Sequence, residues 1–164
     1  MTRPVEDPRA PGRRRAWASN ALLWTSTTRR LLPTTPVLGE TLLAFVGLHL
    51  CVQLCVWLVD GTTRGDVYAD QEARADCPIE PRELRKVRDK LVRVRNDVLH
   101  FLESGDGDVR ITARYSRAAP VLTLGVERSQ GGVPVDSITR EAVIALLDAL
   151  EPWLSRQSER LMSE

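Results

Sequence analysis

Residues 37–59 read VLGETLLAFVGLHLCVQLCVWLV, and the placement of this stretch decides the fold. It is apolar on nearly every side and carries no charge after Glu40. A helix of this kind sits either deep in a protein core or in a membrane. The uncharged run Thr41–Val59 lies at the lower edge of a membrane span in length. Against insertion, His49, Gln53 and Trp57 recur at one-turn spacing. They form one polar-tipped stripe, the pattern expected where a helix faces a partner or a cleft. The stretch is therefore predicted as a buried core or dimer-interface helix, with His49, Gln53 and Trp57 as interface candidates. A small membrane-anchored protein is the alternative. Nothing beside His49 in the sequence pairs with it, so it reads as a hydrogen-bonded interface histidine rather than a catalyst.

Working outward, residues 81–103 give the clearest amphipathic helix. Leu84, Val87, Leu91, Val94, Val98 and Phe101 step by three and four, an apolar stripe that packs on other helices. Arg82, Arg85, Lys86, Arg88, Lys90, Arg93 and Arg95 occupy the other faces. Pro81 suits a first helical turn, and Gly105 and Gly107 end the element. By itself such a basic face is ordinary solubility.

Residues 1–36 hold seven arginines against Glu6 and Asp7, together with Pro4, Pro8, Pro11, Pro33 and Pro36. They read as a flexible or loosely docked basic tail, with a short helix at most between Trp17 and Leu32. Their apolar patch is short and interrupted, which argues against a secretory signal. Residues 60–80 read as a loop with a short helical turn near Tyr68–Ala75. Residues 109–127 switch to strand periodicity, VRITARY then VLTLGVE, and predict a β-hairpin inserted before the last helix. Thr139 can cap that helix, Arg140 to about Leu161, which Pro152 should kink or split. The expected fold is thus mainly α, a helical domain over 37–164.

Net charge is +1, composed of +5 over residues 1–36 and −4 over the remainder. Overall charge does not announce a nucleic-acid binder; only local patches can. Cys51, Cys55 and Cys77 include no Cys-x-x-Cys pair, and they read as free thiols of a reducing cytoplasm. These cysteines and His49 do not make a metal set. Asp106 and Asp108 in SGDGD lack the remaining ligands of a calcium loop. There is no phosphate-binding glycine loop and no Gly-x-Ser-x-Gly elbow, and two histidines leave few bases for hydrolase chemistry. No metal and no cofactor are expected.

The remaining signal is RNDVLH: Arg95, Asn96, Asp97, Val98, Leu99 and His100. An arginine holds phosphate with a fork of donors, and a histidine moves a proton near neutral pH. The chain has only two Asn and two His. Random placement gives Arg-Asn-x-x-x-His about 0.003 times at this composition, which makes the pattern worth pursuing as a hypothesis. At these residues the sequence resembles the HEPN superfamily, whose signature is Arg, usually followed by Asn, His or Asp, with His four to six residues after the Arg. The resemblance covers this motif, the helix around it and a compatible helical frame.

The resemblance implies a HEPN-like helical bundle and a metal-independent endoribonuclease, a toxin or anti-phage defence effector. Arg95 and His100 would be catalytic, with Asn96 and Asp97 as motif support. It further implies a homodimer whose two motifs form one RNA-cleaving cleft, and it admits an antitoxin or regulatory partner. Some toxin members carry a modifiable Tyr two residues after the His; here that position is Leu102, so that regulation does not carry over. Arg88, Lys90 and Arg93 are candidate RNA-binding residues. The superfamily also contains non-catalytic modules that bind nucleotide or protein, which is the second reading. A helical protein in which RNDVLH is coincidence is the last.

On an ideal helix Arg95 and His100, five residues apart, point about 140° from each other. Asn96 and His100 share a face. A distorted helix, or completion of the site across a two-fold axis, would bring Arg and His together.

Overall fold

The computed structural model describes residues 5–32, 38–104, 109–115, 122–128 and 134–164. The chain is mainly helical: α1 (Ala10–Leu31), α2 (Leu38–Asp60), the short α3 (Gln71–Ala75), α4 (Pro81–Ser104) and α5 (Arg140–Ser163). Three strands lie between α4 and α5: β1 (Val109–Tyr115), β2 (Leu122–Arg128) and β3 (Pro134–Thr139). They form one antiparallel sheet in the order β1-β2-β3. Val109 stands opposite Arg128 and Tyr115 opposite Leu122, and the β2–β3 register shifts between Gly125 and Glu127. Strand β3 has no counterpart in the sequence reading, which ends the insert at its glycines.

Helix α2 is the centre of the bundle, packed between α1 and α4. Leu48, Cys51, Val52, Cys55, Leu58 and Val59 are all buried. The span Leu43–Asp60 has the length and apolarity of a membrane crossing, yet 61% of it is buried inside the protein. That is how the core helix of a bundle sits. Cys51 and Cys55 are free thiols in this core, one turn apart. Burial pushes the Cys55 thiol well up, while its hydrogen bond to Cys51 draws the Cys51 value down.

The segment 1–36, expected to be a flexible or loosely docked tail with at most a short helix between Trp17 and Leu32, instead supplies a core element, the longer helix α1. Helix α1 buries Trp17, Ala18 and Ala21 and also Thr25 and Thr28. Thr25 Oγ1 returns its proton to the Ala21 carbonyl at 2.7 Å, which lets a hydroxyl sit inside the core. Pro11 lies in the first helical turn, where a missing N–H costs nothing, so it starts the helix rather than breaking one. The close approach of α1 to α2 depends on Gly47: a Cβ there would meet Thr28 Oγ1 at 2.5 Å and Trp24 at 3.3 Å.

Helix α5 runs beside α1, tied by Ser19 to Ser158 at 3.1 Å and by Arg29 to Asp148 and Glu151 at 2.8 and 2.9 Å. Thr139 caps it by accepting from the Ala142 N–H at 3.1 Å. Pro152 lies within one continuous helix, so the expectation of a split fails there. Trp153 is buried and donates its indole N–H to the Ala73 carbonyl at 3.2 Å, pinning α3 to α5.

Candidate functional site

The site is a seam between two helices. Helix α4 lays Leu84 and Leu91, both fully buried, and the partly buried Val87 against the core. This turns its basic residues toward solvent and toward α2. Asp60, at the C-terminal end of α2, meets Arg85 near the start of α4 at 2.6 Å and also meets Arg74 at 3.1 Å. Farther back along α2, His49 lies within the field of Arg88 and Arg95. The two helices therefore run antiparallel, with rising numbers on α4 matched to falling numbers on α2.

Arg95 and Asn96 are exposed on α4. The Arg95 guanidinium donates from Nε and Nη2 to Asn96 Oδ1, at 3.2 and 2.9 Å. The asparagine thus holds the guanidinium of its neighbour, which limits the conformations of a long side chain. Arg88 lies one heptad before Arg95 on the same helical face. It is bound through Nε to Asp89 Oδ1 at 2.6 Å. Lys90 is half-buried on the same helix, and Arg93 is exposed and has an interaction partner. His100 and Asp97 belong to the backbone of α4, and their side chains lie outside the described residues.

His49 is half-buried on α2, one turn before Gln53 and two before Trp57. Its pKa is lowered from the ordinary 6.5, first by burial and then by the positive charges of Arg95 and Arg88. In the sequence His49 reads as an interface histidine rather than a catalyst, because nothing near it in the chain pairs with it. Its charged neighbours come from α4, across the helix seam. The hint in the sequence was the stripe His49–Gln53–Trp57, whose two end residues lie near arginines of α4.

Trp57 packs against Trp17 of α1, ring centroids 5.4 Å apart and planes tilted by 42°. Beyond it opens a cleft of about 350 Å3 lined by Val56, Trp57, Asp60, Thr62, Arg85 and Arg88. Its rim turns at Gly61, where φ is +78° and a Cβ would meet the Val67 carbonyl at 2.5 Å, so only glycine fits. The following loop is fastened from the N-terminal side. Glu6 accepts from the Tyr68 N–H at 2.8 Å and pairs with Arg14, and Arg13 meets Asp66 at 2.7 Å.

Chemically, the seam offers guanidinium groups for an anion and a neutral imidazole able to accept a proton at neutral pH. No group of His, Cys, Asp and Glu suited to a metal ion occurs among the described residues. Comparison with protein-family models, with curated proteins and with solved structures returns no match to this chain.

Proposed function

We propose that the protein is a metal-independent endoribonuclease of HEPN type, acting as a homodimer whose two RNDVLH motifs share one cleft. The observation that carries this reading is the motif itself, with Arg95 and Asn96 paired and exposed on a basic helix rather than buried in packing. In this reading Arg95 binds the scissile phosphate and stabilises the charge that develops on it. His100 takes the proton from the ribose 2′-OH or gives one to the leaving 5′-oxygen. The 2′-oxygen bonds to phosphorus as the P–O5′ bond breaks, leaving a 2′,3′-cyclic phosphate and a free 5′-hydroxyl. DNA lacks the attacking hydroxyl and is not cut.

A dimer answers the divergence of Arg95 and His100 on one helix, because the partner can complete the pair. Leu43, Val46 and Leu50 on α2 support such an interface: they are 57, 48 and 36% exposed and lie on one side of the helix, beside His49. Exposed apolar stripes of this kind mark association surfaces. A toxin or defence effector restrained by a partner protein fits this chemistry.

The test is cleavage of end-labelled RNA in EDTA by wild type, Arg95→Ala and His100→Ala, each first shown to be folded and dimeric. Wild type should cut and leave cyclic phosphate ends, and both variants should be inactive. Cleavage that is the same in all three overturns the reading. The second reading, a non-catalytic nucleotide- or protein-binding module, needs only the exposed basic face of α4 and no proton transfer. Nucleotide binding without cleavage, unchanged by His100→Ala, selects it.

A further inference from the structure

The cleft between the end of α2 and the first half of α4 has no part in the chemistry assigned to Arg95 and His100. Its volume of about 350 Å3 falls within the range of small-molecule sites, roughly 300–1,000 Å3. Three kinds of surface meet in it. Trp57 offers an aromatic ring steadied by its contact with Trp17. Arg88 offers a guanidinium on the cleft wall, bound through its Nε to Asp89. Thr63 offers an exposed hydroxyl on the rim, while the Thr62 hydroxyl is held inside its own loop by Asp66 and Val67. Asp60 also lines the cleft, but Arg85 and Arg74 both pair with it, and with Arg85 and Arg88 against Asp60 the lining is net positive.

An aromatic ring, a guanidinium and a rim hydroxyl around one small cavity match the three parts of a nucleotide. Bases stack on aromatic rings with little regard to sequence, and guanidinium binds phosphate. We propose that this cleft is a ribonucleotide subsite, with the base on Trp57, the phosphate on Arg88 and the sugar toward Thr63. Arg88 and Arg95 lie seven residues apart on one face of α4, about 10 Å along the axis. A single strand whose scissile phosphate sits on Arg95 therefore passes the cleft. A base reaches Trp57 only when it is unstacked, so the substrate is single-stranded RNA rather than duplex. This last step rests on the ribonuclease reading; nucleotide binding in the cleft does not.

The experiment titrates the full-length protein with 5′-AMP and with ribose 5-phosphate by calorimetry and by NMR of the tryptophan indole resonances. The Trp57 resonance is identified by its absence in Trp57→Phe. The variants are Arg88→Gln and Thr63→Glu; Thr63 is exposed and its replacement leaves the core intact. The expected result is that 5′-AMP shifts the Trp57 resonance and binds at least about tenfold more tightly than ribose 5-phosphate, the difference being the stacked base. Arg88→Gln and Thr63→Glu should each weaken 5′-AMP binding about tenfold or more. Equal affinity for the two ligands, no binding of 5′-AMP, or binding unaffected by both variants overturns the proposal. Cleavage that depends on Arg95 and His100 without 5′-AMP binding in the cleft sinks this inference alone. Binding in the cleft without cleavage sinks the ribonuclease reading and leaves the nucleotide site standing.

Discussion

Replacing Gly47 by alanine sets two effects of known size against each other at the α1–α2 crossing. Alanine is a better helix former than glycine by about 1 kcal/mol, so on an open surface the change would stabilise. Here the new Cβ would stand 2.5 Å from Thr28 Oγ1 and 3.3 Å from Trp24. Thr28 is fully buried, and a β-branched side chain in a helix has few rotamers to move into. Overpacking of this kind costs about 1–3 kcal/mol. Gly47→Ala alone should therefore be neutral to destabilising by about 2 kcal/mol. Thr28→Ala removes the obstructing atom, a buried hydroxyl oxygen with no hydrogen-bond partner among the described residues. In that background Gly47→Ala should gain up to the helical preference of about 1 kcal/mol, less what the remaining 3.3 Å approach to Trp24 costs. The coupling between the two substitutions is then about 1–3 kcal/mol in favour of the double variant. Urea denaturation of the four proteins measures it, with a thermal shift of about 2–4 °C per kcal/mol as a check. If Gly47→Ala stabilises both backgrounds equally, α1 and α2 do not meet at this glycine. Gly47 is two residues from His49, so the same crossing sets the rotation that brings the imidazole toward α4.

Two further outcomes follow from contacts already described. His49 has a folded-state pKa below its unfolded value, so the unfolded chain takes up the proton first as pH falls through about 6.5. Stability should decline below that pH, and His49→Gln should remove part of the decline. By NMR, Arg95→Gln should raise the His49 pKa toward its ordinary value; an unmoved titration would separate the two residues. Trp153→Phe leaves the Ala73 carbonyl without its indole donor and should cost about 1–3 kcal/mol in denaturation. A loss within error would show that this bond does not hold α3 against α5.

The helices whose apolar positions are large or strictly spaced were legible in the sequence. Helix α2 announces itself by unbroken apolarity, and α4 by Leu84, Val87 and Leu91 at three- and four-residue steps. Helix α1 was legible only as a short stretch between Trp17 and Leu32, because apart from Trp17 its buried face is made of Ala18, Ala21, Thr25 and Thr28, small or hydroxyl-bearing residues that resemble a polar tail. Their burial requires the close packing that Gly47 permits, and that is a property of two helices together. Pro11 and Pro152 read as interruptions, yet one opens a helix and the other lies within a continuous one. In the candidate site, Arg95 and Asn96 were legible because they are adjacent. The field of Arg88 and Arg95 on His49, and the meeting of Trp57 with Arg88, arise between helices and leave no local pattern.

The pairing of α1 with α5 has a consequence for the order in which the molecule can be assembled. A nascent chain can join α1 to α2 as soon as residue 60 is free. The contacts of Ser19 with Ser158 and of Arg29 with Asp148 wait until residues 140–163 have been synthesised. Contacts between distant parts of a chain form slowly, because a long loop must close before they yield anything. During translation one face of the α1–α2 pair therefore stays open to chaperones, and the helix seam gains its full support only when the last helix docks.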